Sequence, residues 1–187
     1  MIGSRRSRLA TFAVTAAAVV SLSGVLPVSA HVTVTPEGTA AGSYTVLRFA
    51  VPHGCDGSST TKIAIQIPEE FPTVTPGMNY GWTVEKVMET LATPVPDGHG
   101  GEYTERVSEV VYTAKEPLPD GYYDQFLMSV RLPEVDPGTT LYFPTIQTCE
   151  EGETAWIQIP EEGQSEDDLE SPAPAFTVTE ADPSAEE

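Results

Sequence analysis

The sequence predicts an all-β protein built as one antiparallel β-sandwich. Apolar residues recur with a period of two along several runs of the chain. Proline and glycine, 17 and 15 among 187 residues, cut the chain into short pieces at regular spacing. No segment sustains a 3.6-residue period with capping residues at its ends. Short strands of this kind bury their apolar faces by stacking two sheets.

In chain order, residues 32–35 form a β-branched run stopped by Pro36. Residues 44–51 alternate, with Thr45, Leu47, Phe49 and Val51 on one face and Arg48 on the other. Residues 61–67 set Ile63, Ile65 and Ile67 inward against Lys62 and Gln66. Strands are expected at 82–87 and 107–113. A longer one follows over 123–132, with Phe126, Met128, Val130 and Leu132 sharing a face. Residues 139–147, 154–159 and 176–179 complete the pattern. Between them stand Pro36-Glu37-Gly38, Pro76-Gly77, Pro119-Asp120-Gly121, Asp136-Pro137-Gly138 and Glu151-Gly152, all turn chemistry. Residues 93–102, with Pro94, Pro96 and three glycines, read as an exposed loop. The acidic run 161–170 reads as a mobile segment. The expected architecture is immunoglobulin-like or cupredoxin-like.

The start of the chain has the anatomy of a secretory signal. Arg5, Arg6 and Arg8 precede an apolar run from Leu9 to Leu26, and Val28 and Ala30 supply the small residues of a cleavage site. The expected organisation is a signal peptide over 1–30, a sandwich domain over 31–180 and an acidic disordered tail over 181–187. Residues 1–30 carry three arginines and no acid. Without them 6 Lys+Arg face 28 Asp+Glu, a formal charge of −22. Such a balance argues against nucleic acid and anionic membrane surfaces as partners. After the signal no apolar run reaches the ~20 residues of a membrane-spanning helix. The expected location is secreted or in the cell envelope, outside the cytoplasm.

Cys55 and Cys149 both lie in the exported part, and an even pair in an oxidising compartment reads as a disulfide. A thiolate metal site formed by both cysteines with His53 is the other reading.

Cleavage after Ala30 makes His31 the first residue. A free α-amine and the Nδ1 of the same histidine close a six-membered chelate ring on one metal ion. Both are borderline nitrogen donors, which suit Cu(II) in a tetragonal arrangement. The amine, with an ordinary pKa near ~8, sheds its proton readily to a metal. Proton competition is therefore expected to weaken metal binding below about pH 6. His99, among glycines, reads as a solvated loop residue, and the methionines form no thioether cluster for Cu(I).

Beyond these readings, a series of motifs matches a family. Ala30-His31-Val32-Thr33-Val34-x-Pro36 opens the domain, and Val51-Pro52-His53-Gly54-Cys55-x-Gly57-Ser58-x-Thr60-Thr61-Lys62 follows. Gln66-Ile67-Pro68, Gly81-Trp82-Thr83-Val84-Glu85, Leu141-x-Phe143-Pro144-x-x-Gln147-x-Cys149-Glu150-x-Gly152-Glu153 and Trp156 come after. The chain resembles the YcnI-like exported domain of bacteria, in its cysteine-containing actinobacterial form. The resemblance implies one Cu(II) held by the N-terminal histidine, a monohistidine brace, with a tryptophan close to the metal. His31 matches the brace position and Trp156 the tryptophan, with Trp82 as its competitor. A carboxylate is the expected further donor, Glu153 first, with Glu150, Glu151 and Glu37 also open. Where this chain has His53-Gly54-Cys55, relatives without the cysteines carry other polar residues.

The reading is an exported Cu(II)-binding protein of copper homeostasis, a chaperone or scavenger rather than an enzyme, with copper-trafficking proteins as partners. Two rivals are a copper-dependent oxidative enzyme using the N-terminal histidine and a metal-free extracellular interaction module. An oxidative brace needs a second histidine, and only His53 and His99 are available.

Overall fold

The computed structural model describes residues 31–71, 73–97 and 99–182. The expected signal peptide and residues 183–187 of the expected tail lie outside them. Eleven strands follow in order: β1 Thr33–Pro36, β2 Tyr44–Val51, β3 Thr60–Gln66, β4 Val74–Pro76, β5 Trp82–Pro96 and β6 Glu102–Leu118, then β7 Asp124–Arg131, β8 Thr140–Tyr142, β9 Thr145–Cys149, β10 Glu153–Trp156 and β11 Ala175–Thr177. One sheet has the order β1-β2-β7-β4 and the other β10-β9-β3-β6-β5, while β8 and β11 form a small pair of their own. Every paired strand is antiparallel. Among the described residues there is no α-helix, so none is long and apolar enough to cross a membrane.

The two-residue period explains the core. Leu47 pairs with Met128 and Phe49 with Phe126 across β2 and β7, and the buried residues of those strands are apolar but for Thr45. Ile63 and Ile65 of β3 and Val110 and Tyr112 of β6 line the facing sheet and are fully buried. Aromatic rings join the layers: the Tyr112 ring lies 4.5 Å from Phe126, and Trp82 meets the same ring edge-on at 4.9 Å. Burying each such side chain contributes about 1.5–3 kcal/mol. The Trp82 indole N–H also donates to Asp124 at 2.8 Å, tying β5 to β7.

Five stretches differ from the sequence expectation. The stretch 93–102 is the end of a hairpin, strand on both sides of its turn: β5 runs to Pro96, β6 begins at Glu102, and Val95 pairs with Tyr103. Pro94 and Pro96 are tolerated because β5 is an edge strand, where a missing N–H removes no ladder bond on the open side. Buried Arg106 steadies this long hairpin, pairing with Glu89 at 2.9 Å and donating to the Ile67 carbonyl at 3.0 Å. The expected single strand over 139–147 is two, because Pro144 interrupts it: β8 pairs with β11, whereas β9 joins the five-stranded sheet. Strand β4 was not expected at all. Strand β10 stops at Trp156 instead of 159, where the Ile157 N–H turns to the Ser171 carbonyl. The acidic stretch 161–170 holds a short 3-10 turn, Glu166–Asp168, closed by a Ser165 capping box.

Candidate metal centre

His31 sits just ahead of β1 and is half-buried, held there by Val32, which is in the core. Thr33 pairs with Ala50, so continuing that register two places sets His31 beside Pro52, at the start of the loop after β2. That loop carries His53. From the other sheet, β10 ends on Trp156, whose partner across the ladder is Thr145 of β9. The Trp156 ring lies 5.6 Å from that of His31 and 6.3 Å from that of His53. Two imidazoles therefore gather on one buried indole.

Gln147 of β9 fixes this arrangement. It is fully buried, its Oε1 accepts the Trp156 indole N–H at 3.0 Å, and its Nε2 donates to the His53 carbonyl at 2.7 Å and to Thr60 Oγ1 at 2.8 Å. An indole N–H only donates and a carbonyl only accepts, so these partners settle which end of the amide is oxygen. The indole nitrogen is committed to Gln147, which leaves the carbon surface of the ring for the histidines.

The loop after β2 is locked at several points. Cys55 and Cys149 form a disulfide with Cα atoms 6.0 Å apart, fastening the loop to the end of β9. That pairing removes the thiolate metal site as a reading. The Gly54 N–H donates to Asp120 at 2.9 Å, and a Cβ at Gly54 would collide with the Ser58 carbonyl. Cys55 and Ser58 exchange both backbone hydrogen bonds around Asp56 and Gly57, which have φ of 48° and 88°. The turn thus needs residues that accept left-handed backbone. Nδ1 of His53 donates to the Gly54 carbonyl, since a carbonyl can only accept.

The glutamates expected as further donors stand elsewhere. Glu153 is exposed on β10, on the face away from Trp156, and accepts a hydrogen bond from Thr148 at 3.4 Å. Glu150 and Glu151 line a surface depression with Asp56, Ser58 and Ser59, and Glu37 is exposed just past the far end of β1. Among the described residues, no group of three or more His, Cys, Asp or Glu side chains is placed to hold a metal. Trp82 lies between the sheets with Phe126 as its ring neighbour. His99 is exposed in the β5–β6 turn. The structure thus joins His31 with Trp156 and leaves Glu153 and Trp82 apart from them. It adds His53 and Gln147. Gln147 was visible in the sequence only as part of a motif with no chemistry attached.

Comparison with known proteins agrees with the fold. A protein from Nocardia farcinica, whose crystal structure reveals an immunoglobulin-like fold, is 29% identical with a TM-score of 0.62, covering 81% of this chain and 99% of its own. A protein from Corynebacterium diphtheriae described as membrane anchored is 12% identical, covers 81% of this chain and 34% of its own, and has a TM-score of 0.40. No curated protein matches the chain. The family model described as Domain of unknown function (DUF1775) matches residues 31–178, and the chain belongs to that family, the YcnI-like one.

Proposed function

We propose that the mature protein begins at His31 and binds one Cu(II) ion through the α-amine and imidazole of that residue, as an exported copper-handling protein. The observation that carries this reading is the contact between the His31 and Trp156 rings. The residue best suited by chemistry to chelate copper stands against an indole held rigid by Gln147. A metal bound there has aromatic surface beside it and nitrogen donors of the borderline type that Cu(II) prefers. The donor set fits Cu(II) better than Cu(I), because both cysteines are oxidised to a disulfide and no thiolate remains among the described residues.

The disulfide and the signal-like residues 1–30 support export. The acidic balance of the chain favours cations in general. Partners on this reading are the proteins that donate or receive the ion.

The test is the intact mass of the exported protein, with a Cu(II) titration on the same sample. The expected result is a chain starting at His31 that takes up one copper. The control carries Met-Ala ahead of His31. Equal affinity in the two would overturn the chelate, and a failure of both to bind would favour a metal-free interaction module.

A further inference from the structure

We infer that His53 is a second nitrogen donor to the metal bound at His31, acting through Nε2. The inference rests on the copper reading above and names a ligand that it lacks. An amine and one imidazole leave a tetragonal Cu(II) ion short of donors in its plane. The glutamates expected to complete it stand away from Trp156: Glu153 is on the opposite face of β10, and Glu150 and Glu151 line a separate depression.

His53 has the placement they lack. Its ring meets the same indole as His31, at 6.3 Å against 5.6 Å. Nδ1 donates to the Gly54 carbonyl, so in the neutral ring Nε2 is the nitrogen that can coordinate a metal. A histidine ligand characteristically donates its other ring N–H to a carbonyl or carboxylate, which orients the ring and raises its basicity. The backbone beneath it is pinned by three independent ties. Gln147 holds the His53 carbonyl, Asp120 holds the Gly54 N–H, and the disulfide at Cys55 fastens the loop to β9. The hydrogen bond from Gln147 also couples His53 to Trp156, since one amide serves both. So fixed a loop histidine is preorganised, and its ordering is completed during folding, not on binding.

The donor set becomes one amine and two imidazoles, from His31 and His53. That set is all nitrogen and favours Cu(II) over harder divalent ions.

The experiment is pulsed electron paramagnetic resonance of the one-copper protein with an authentic His31 terminus, which counts coordinated imidazoles through their remote nitrogens. The wild-type protein is expected to show two, and His53→Gln one. Cu(II) affinity in His53→Gln is expected to fall by at least about ten-fold. A single imidazole in the wild-type spectrum overturns the inference without recourse to any variant, while leaving the His31 chelate standing. Unchanged spectra and affinity in His53→Gln overturn it as well. A wild-type protein that binds no Cu(II) overturns the His31 reading itself and this one with it.

Discussion

The indole N–H of Trp156 donates to Oε1 of Gln147 at 3.0 Å, nine residues back along the chain and directly inside the adjoining strand. The same amide reaches His53, 94 residues away in sequence, at 2.7 Å. Gln147 is thus the joint between the edge of one sheet and the loop that leaves the other. Gln147→Leu keeps the volume and strands the indole N–H, the His53 carbonyl and the Thr60 hydroxyl without this partner. Leaving a buried polar group unpaired costs about 1–3 kcal/mol. The expected loss is at least about 3 kcal/mol in urea unfolding. A loss below about 1 kcal/mol would mean that water or a neighbour replaces the amide at little cost.

The disulfide closes a loop across most of the domain, linking residues 94 apart. The chain-entropy model assigns such a loop roughly 4–5 kcal/mol, as an upper figure. Cys55→Ser with Cys149→Ser is expected to lower stability by several kcal/mol. The site should suffer more than the core, because the disulfide pins the loop that carries His53 and the end of β9. Hydrogen exchange resolves this: amides of residues 53–60 should lose protection before those of β2 and β7.

The strands with alternating burial were legible in the sequence because one face of each meets the core. Residues 44–51 are strand β2 to the residue, with Thr45, Leu47, Phe49 and Val51 buried as read. The outer half of the β5–β6 hairpin was not legible for the opposite reason. Beyond Glu85 the residues of β5 are nearly all exposed on both faces, so no alternation marks them. Strand β4, three residues long, is too short to show a period. His31 stood out by its place after a signal-like segment, and Trp156 through a family resemblance. The approach of His53 to Trp156 depends on how β2, β9 and β10 are laid side by side. No local pattern encodes that.

The turn of the long hairpin is held by Asp97, whose Oδ1 accepts the N–H groups of His99 at 2.8 Å and Gly101 at 2.9 Å. Those bonds, first that from His99, hold the carboxyl below its ordinary value of 3.8. A lowered folded pKa means the support is complete above 3.8 and is lost as pH falls below it. Nuclear magnetic resonance is expected to show Asp97 titrating below 3.8, with the His99 and Gly101 amide shifts following the same curve. Asp97→Ala should remove that transition and loosen the turn while leaving the core intact.

Tyr112 responds to pH at the other extreme. It is fully buried between the sheets, its hydroxyl donates to the Leu127 carbonyl at 3.3 Å, and burial raises its pKa well above the ordinary tyrosine value of 10.0. The folded state holds this proton more tightly than the unfolded state. Stability is therefore unaffected below about pH 10 and falls as pH rises beyond it. Absorbance at alkaline pH is expected to show Tyr112 ionising only as the protein unfolds. Tyr112→Phe should move that unfolding to higher pH, at a cost near neutrality of about 1 kcal/mol for the lost hydrogen bond.

Fluorescence distinguishes the two tryptophans. Trp82 is in the core beside Phe126 with its N–H on Asp124, whereas Trp156 adjoins both histidines. Paramagnetic Cu(II) quenches an indole within a few ångströms far more strongly than one across the domain. With an authentic His31 terminus, one equivalent of Cu(II) is expected to remove most of the Trp156 emission. Trp82→Phe, which isolates Trp156, should show nearly complete quenching. Trp156→Phe should leave emission from Trp82 that copper dims only slightly. The Gln147→Leu protein adds a further contrast: its indole is no longer tethered, so quenching should be partial and vary with temperature. Equal quenching in the two tryptophan variants would place the copper away from Trp156 and detach the histidine chelate from the indole against which His31 rests.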